Sequence, residues 1–346
     1  MKAFLLTLAL GGAALAQTTV PALPVTAPTG ATSSTSTVST STAATSSAVA
    51  PVTLRFSARP GTLVSFGLRV QQRLQPVSVR VEPLPNVRLT ADKERERQAL
   101  EARVQRDFAS FPQLPAQTGK VFYKVLPPLA DGSPVLLTTT VASLPGGKTL
   151  TTRLQQTLRP DGTVKTQLLA SGDPGAQRVQ GALSGLLNQS NTFGGVSARL
   201  LGQPLSPGQS VSQTVRLDLG QLIGGVLGSV GAGGGSGTGA LEVTDLTTYR
   251  GQDPAGNTLL EDRATVADGR FTVSVPDRSQ GGAAQLQFEL RDFSTSARST
   301  VRPDGLSAGS SAHVEGGTTL TFPIPDQPFR LVLDLKLVQD VTTTPQ

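Results

Sequence analysis

The sequence predicts a mainly β protein: large antiparallel sheets, as a sandwich or an open half-barrel, with two or three short helices packed on them. Three observations predict it. Apolar and polar residues alternate with a period of two over most of the chain after residue 51. Turn chemistry separates the alternating runs, at Pro145-Gly146-Gly147, Pro160-Asp161-Gly162, Asp268-Gly269 and Pro303-Asp304-Gly305. Gly (37) and Pro (25) are plentiful, which favours turns and short strands over long helices.

The first segment, 1–16, reads as a secretory signal peptide. Lys2 supplies the positive start, residues 3–10 form a short uncharged apolar run, and Ala14-Leu15-Ala16 precedes Gln17. The run falls short of the ~20 apolar residues that a membrane-spanning helix needs, so none is expected in the mature chain. Residues 17–51 are rich in Ser, Thr, Pro and Ala and contain no charge, too little apolar surface to offset ordering. They are expected to be a disordered tether.

The half spanning 52–196 begins with expected strands at 53–57 and 62–71, then 77–81, where Val77, Val79 and Val81 share a face. A helix over 91–110 follows, with Leu100, Val104 and Phe108 as its apolar stripe and Arg97/Glu101 and Arg103/Asp107 as ion pairs. That stripe should lie across a sheet. Strands are expected at 120–126, 135–143, 148–158 and 163–170. A second helix, 174–189, is capped by Asp173 and opened by Pro174, and would bury Val179, Leu183, Leu186 and Leu187.

The half spanning 197–341 has expected strands at 210–219, 240–250, 257–267, 270–275, 284–293, 296–302 and 318–323. The clearest strand puts Phe329, Leu331, Leu333, Leu335 and Leu337 on one side. Between the first two runs lies a helical stripe, Leu219, Leu222, Ile223, Val226, Leu227 and Val230, interleaved with Gly220, Gly224 and Gly228. A Gly-rich loop near 228–239 follows it. Residues 342–346 read as a flexible tail.

Two motif pairs hint at duplication. Arg159-Pro160-Asp161-Gly162 matches Arg302-Pro303-Asp304-Gly305, and Pro60-Gly61 recurs as Pro207-Gly208 at nearly the same offset. The halves differ in charge. Residues 51–196 hold 18 basic and 9 acidic side chains, and residues 197–346 hold 11 and 15. The two could dock on each other, or the basic half could meet an anionic envelope polymer or lipid. Nucleic acid is not expected as a partner, because aromatics are scarce.

Several chemistries are excluded by residue type. With Cys 0 there is no disulfide, thiolate metal site or Cys nucleophile. The only histidine, His313, sits among small residues resembling a loop or strand edge, and reads as a surface side chain. The stretch from Ala142 to Thr149 fits a permissive phosphate-loop pattern, yet Lys148 opens a strand where such a loop needs a helix. Glu261-Asp262 and Glu289/Asp292 are the nearest carboxylate pairs, without the aromatic platform a sugar would need. No catalytic, cofactor-binding or metal-ligating residue is assigned, no enzyme is expected, and ligand-binding residues stay unassigned.

The leader, the Pro60-Gly61 opening strand, the Arg159-Pro160-Asp161-Gly162 hairpin, the Pro207-Gly208 strand and the late β segments together resemble exported, β-rich bacterial envelope proteins of unknown function. Many of those are lipoproteins. The likeness spans 52–340, implies export, and brings no catalytic residues. This chain has no Cys to lipidate, so an anchor does not follow from it.

The expected function is a non-enzymatic structural or binding role towards another envelope component, such as an anionic polymer, a lipid or an envelope protein. The expected location is the periplasm, cell surface or extracellular space. One alternative is a carrier of an apolar or lipid-like ligand in an open half-barrel, with the 219–230 stripe as a lid. Another is an outer-membrane barrel, opposed by few aromatics and by a C-terminus without one.

Overall fold

The computed structural model describes residues 51–109, 116–143, 149–169, 192–218, 236–276, 283–324 and 326–346. The first half holds strands β1 (Val52–Thr53), β2 (Leu63–Pro83), β3 (Gln117–Leu126), β4 (Val135–Ser143), β5 (Thr149–Leu158) and β6 (Val164–Leu169). Short strands β7 (Thr192–Phe193), β8 (Val196–Ser197) and β9 (Pro204–Leu205) follow. The second half holds β10 (Ser210–Asp218), β11 (Ser236–Thr238), β12 (Ala240–Gln252), β13 (Thr258–Val266) and β14 (Gly269–Pro276). It ends with β15 (Ala283–Val301), β16 (Ser307–Pro323) and β17 (Phe329–Pro345). The described helices are α1 (Ala91–Ala109) and a single 3-10 turn, Ala198–Leu200.

The fold is thus mainly β and antiparallel, as the alternation predicts. The main sheet runs β10-β12-β13-β15-β16-β17-β2-β3-β4-β5-β6, with β14 and β11 continuing beside β15. It does not close, and β10 and β6 end the path. The sheet is nonetheless strongly rolled. Gly194 lies against both Leu136 on β4 and Leu306 at the start of β16. Those strands are four steps apart, about 19 Å on a flat sheet at 4.8 Å per step. Only a rolled sheet brings both leucines to one residue, so the face bearing Leu136 is the concave one.

Two plugs occupy separate parts of this concavity. Residues of β1, β7, β8, β9 and the 3-10 turn bury Leu54, Phe193, Val196, Leu200 and Leu205 against Tyr249, Leu260 and Val301 on one wing and Val125, Leu136 and Val164 on the other. Towards the far end of β2 and β17, α1 lays Leu100, Val104 and Phe108 over Val79, Val81, Leu331, Leu333 and Phe288. The helix also covers a bare edge. β3 pairs with β2 only from Leu63 to Val70, which leaves the rest of β2 without a neighbour on that side. There Arg97 donates to the Val81 carbonyl (2.6 Å), Glu101 accepts from the Val81 amide (3.3 Å) and Gln105 donates to the Val79 carbonyl (3.1 Å). Side chains thus take the place of a strand along a free edge.

The two halves follow the same path. β2-β3-β4-β5-β6 and β10-β12-β13-β15-β16 are each laid down in the same order. Their turns match bond for bond. Gly61 donates to the Val125 carbonyl (2.9 Å) and Gly208 to the Tyr249 carbonyl (2.8 Å). Gly162 closes on Arg159 (3.0 Å) and Gly305 on Arg302 (3.0 Å), both glycines at positive φ, which a Cβ would disfavour.

Several local expectations are corrected. Asp268-Gly269 is not a hairpin: β13 and β14 pair with successive stretches of one long strand, β15. The residues make a kink opposite a bulge at Asp292 (φ 51), since turn formers suit bulges equally well. For the same reason 284–293 and 296–302 form a single strand. Val77 does not share a face with Val79 and Val81. It is 70% exposed beside Pro76, where the register with β17 slips. The expected strand at 53–57 is reduced to β1, and β17 runs to Pro345, taking in most of the expected tail. The helices expected at 174–189 and over 219–230, and the turn at Pro145-Gly146-Gly147, lie outside the described residues.

Candidate functional site

The cross-strand register carries one residue phase around the whole concave face. On that phase no strand places a Lys or Arg among the described residues. The basic strand residues, such as Arg80, Lys120, Arg250, Arg263 and Arg330, all take the opposite phase and point outward. Many are matched there with acids. Arg330 pairs with Glu82 (2.7 Å), Arg250 and Arg263 pair with Glu261 (2.6 and 2.9 Å), and Arg270 and Arg291 pair with Glu289 (3.0 and 2.7 Å). These guanidinium hydrogen bonds hold the carboxyls of Glu261 and Glu289 below their usual range.

The concave face is largely apolar, with buried polar residues set among its clusters. One unbroken row of cross-strand partners runs Gln213, Asp245, Ala264, Thr295, Val314, Gln339 and Gln72. It separates the cluster under α1 from the clusters around Phe66, Leu68, Val70 and around Tyr249, Leu260. Asp245 (7% exposed), Gln339 (3%) and Gln72 (8%) are buried there. Asp245 Oδ1 and Gln339 Nε2 have no hydrogen-bond partner, nor has the hydroxyl of Tyr249, which shares the strand and face of Asp245. Buried polar atoms are almost always satisfied, so several unsatisfied ones on one face need an explanation.

Asp262 joins this row from β13, diagonal to Asp245, and accepts a hydrogen bond from Thr247 Oγ1 (2.6 Å). Asp245 and Asp262 are the only acidic residues on the concave phase of the described strands. Burial and the neighbouring Asp262 charge push the Asp245 carboxyl up to about 7. Burial raises Asp262 to about 6, against the opposing hydrogen bond from Thr247.

The residues singled out from sequence fall elsewhere. Glu261 and Asp262 are adjacent but point to opposite faces, so they are not a working pair. Glu289 is bound by two arginines, and Asp292 sits in the bulge, its amide donating to Asp268 Oδ1 (3.1 Å). His313 is not in a loop: it lies within β16 on the outer face, its Nδ1 2.7 Å from Asp340 Oδ1 on β17. Thr149 opens strand β5, the arrangement that a hairpin predicts and a phosphate loop does not. No group of three or more His, Cys, Asp or Glu able to hold a metal occurs among the described residues.

A separate groove of about 460 Å³ lies on the outer side of β5 and β6, bordered by Asp131, Ser133, Arg159, Asp161 and Lys165. Its two acids are engaged by their own turns. Asp131 accepts from the Ser133 amide and Asp161 from Thr163, which lowers both carboxyls.

The polar row escaped the sequence reading although its signal was present. In β12, Asp245 occupies the phase of Leu241, Val243 and Tyr249. In β17, Gln339 occupies the phase of Leu335, Leu337 and Val341. A polar residue in the apolar phase was the mark. The class the geometry defines is an unclosed, rolled antiparallel sheet with a charge-poor concave face. No protein-family model matches the chain, and no curated protein matches it significantly.

Proposed function

We propose that this chain is a non-enzymatic, exported binding protein that holds an apolar or amphipathic, lipid-like molecule on the concave face of its sheet. The observation that carries the reading is the polar row of Asp245, Gln339 and Gln72, buried between apolar clusters, with Asp245 Oδ1 and Gln339 Nε2 left unpartnered. Such groups cost about 1–3 kcal/mol each when nothing meets them, and an amphiphile with a polar head would meet them. Export rests on the leader and the charge-free tether that follows it. The paired Arg and Glu side chains on the outward face argue against an outer-membrane barrel, whose exterior would meet lipid.

The chain has no Trp, so one introduced Trp reports on one face. Val314 points into the concavity and Glu315 away from it. Brominated dodecanol should quench Val314→Trp saturably and leave Glu315→Trp unaffected. Equal quenching of both, or of neither, would remove the proposal.

A further inference from the structure

We infer that Asp245 and Asp262 form a seat for the ammonium group of an amphiphile held on the concave face. This rests on the ligand-binding reading above and adds the chemistry of the head group. Acids on the outer face of the strands repeatedly meet an arginine, whereas these two face a surface to which the described strands contribute no cation. They are diagonal neighbours on β12 and β13, a relation that places side chains within about 7–8 Å. One small cation between them would touch both.

The atoms left over fit that cation. Asp245 Oδ1 is buried and unpartnered. Asp262 has its Oδ1 engaged by Thr247, which orients the carboxylate. An ammonium carries three donors, and a carboxylate oxygen from each aspartate supplies two acceptors for it. A divalent metal fits less well, because hard cations ask for six or more oxygen ligands and the described residues offer no cluster of three acids. The apolar clusters on either side of the polar row would take the tail.

The seat needs both carboxyls ionised, and the elevated titration of the pair supports a dependence on pH. The concave neighbours on β10 and β15 are Val211, Gln213, Thr295 and Ala297, none of which titrates. Glu261 and Arg263, which flank Asp262 in sequence, lie on the outer face of β13 and pair with each other. An alkylammonium stays charged to about pH 10, like lysine, so affinity should rise as the aspartates lose protons between pH 5 and pH 8.

Calorimetric titration of the full chain with dodecylammonium, dodecanol and dodecanoate, each below its micelle concentration, tests the seat. At pH 8 dodecylammonium should bind at least tenfold more tightly than dodecanol, and dodecanoate most weakly. The double variant Asp245→Asn, Asp262→Asn should bring dodecylammonium down to the affinity of dodecanol and leave dodecanol unchanged. Asp262→Asn alone serves if the double variant fails to fold. Equal affinity for all three would overturn the seat and leave the ligand-binding reading intact. Absence of binding by any of them would overturn both.

Discussion

Asp245 shows how one residue can be at odds with its strand. Its neighbours in phase are Leu241, Val243 and Tyr249, all buried, and the carboxyl is buried with them. Because its pKa is raised to about 7, its charged form is disfavoured in the fold. The stability it contributes is present below its ordinary range and is lost as pH rises through 7. Asp245→Asn should therefore leave the melting temperature unchanged near pH 4 and raise it at pH 8. The gain should be on the order of 2 kcal/mol, or about 5 °C by thermal denaturation. A lower melting temperature at pH 8 would mean that the carboxylate has a partner. Gly316 illustrates the opposite constraint. A Cβ at that position would overlap the Phe293 ring. Gly316→Val should cost about 1–3 kcal/mol in denaturant unfolding, whereas Gly317→Val, with no contact under 3.6 Å, should cost less. Neither glycine is distinguishable from the other in the sequence, since the ring that decides between them arrives from β15 across the sheet.

At the scale of elements, α1 was the most legible. Its stripe of Leu100, Val104 and Phe108 and the Arg97/Glu101 pair (2.6 Å) are both in place. Its second role was not legible, because the polar side chains that look like a solvated face include those that satisfy the open edge of β2. Arg97→Ala should remove one donor from the Val81 carbonyl and from each of the Glu94 and Glu101 carboxylates, at a cost of about 1–2 kcal/mol. It should also promote association through the exposed edge, detectable by light scattering at raised concentration. Unchanged stability and a monomeric profile would show that water replaces the guanidinium without loss. Strand boundaries were legible where Pro and Gly close a hairpin, as at Pro303-Asp304-Gly305. They were misread where the same residue types kink a strand, as at Asp268-Gly269.

Among the described residues, the main sheet is rolled and built from two stretches of chain that repeat the same strand order. Recurrence of the Pro-Gly and Arg-Pro-Asp-Gly motifs was visible in the residues. The order of the strands was not, since pairing β17 with β2 joins residues more than 200 positions apart, and no local pattern encodes it. Asp245 and Gln339 could each be seen as polar residues in an apolar phase, but their alignment in one row was hidden, because it exists only once seven residues from separate strands are brought into register. The proposed export is also tested at this scale. Fractionation with intact-mass analysis should find a mature product beginning at Gln17 outside the cytoplasm, and a full-length cytoplasmic product would contradict it.

The central claim is that the concave face, and not the outer one, holds the ligand. Photo-crosslinking with a diazirine-bearing long-chain alcohol, mapped by peptide mass spectrometry, tests it most directly. Alternate residues of β17 face opposite ways, so one peptide reads out both faces. Label on Leu337 and Gln339 with none on Lys336 and Val338 is the predicted result. Label spread evenly along the strand, or confined to Lys336 and Val338, would contradict the account.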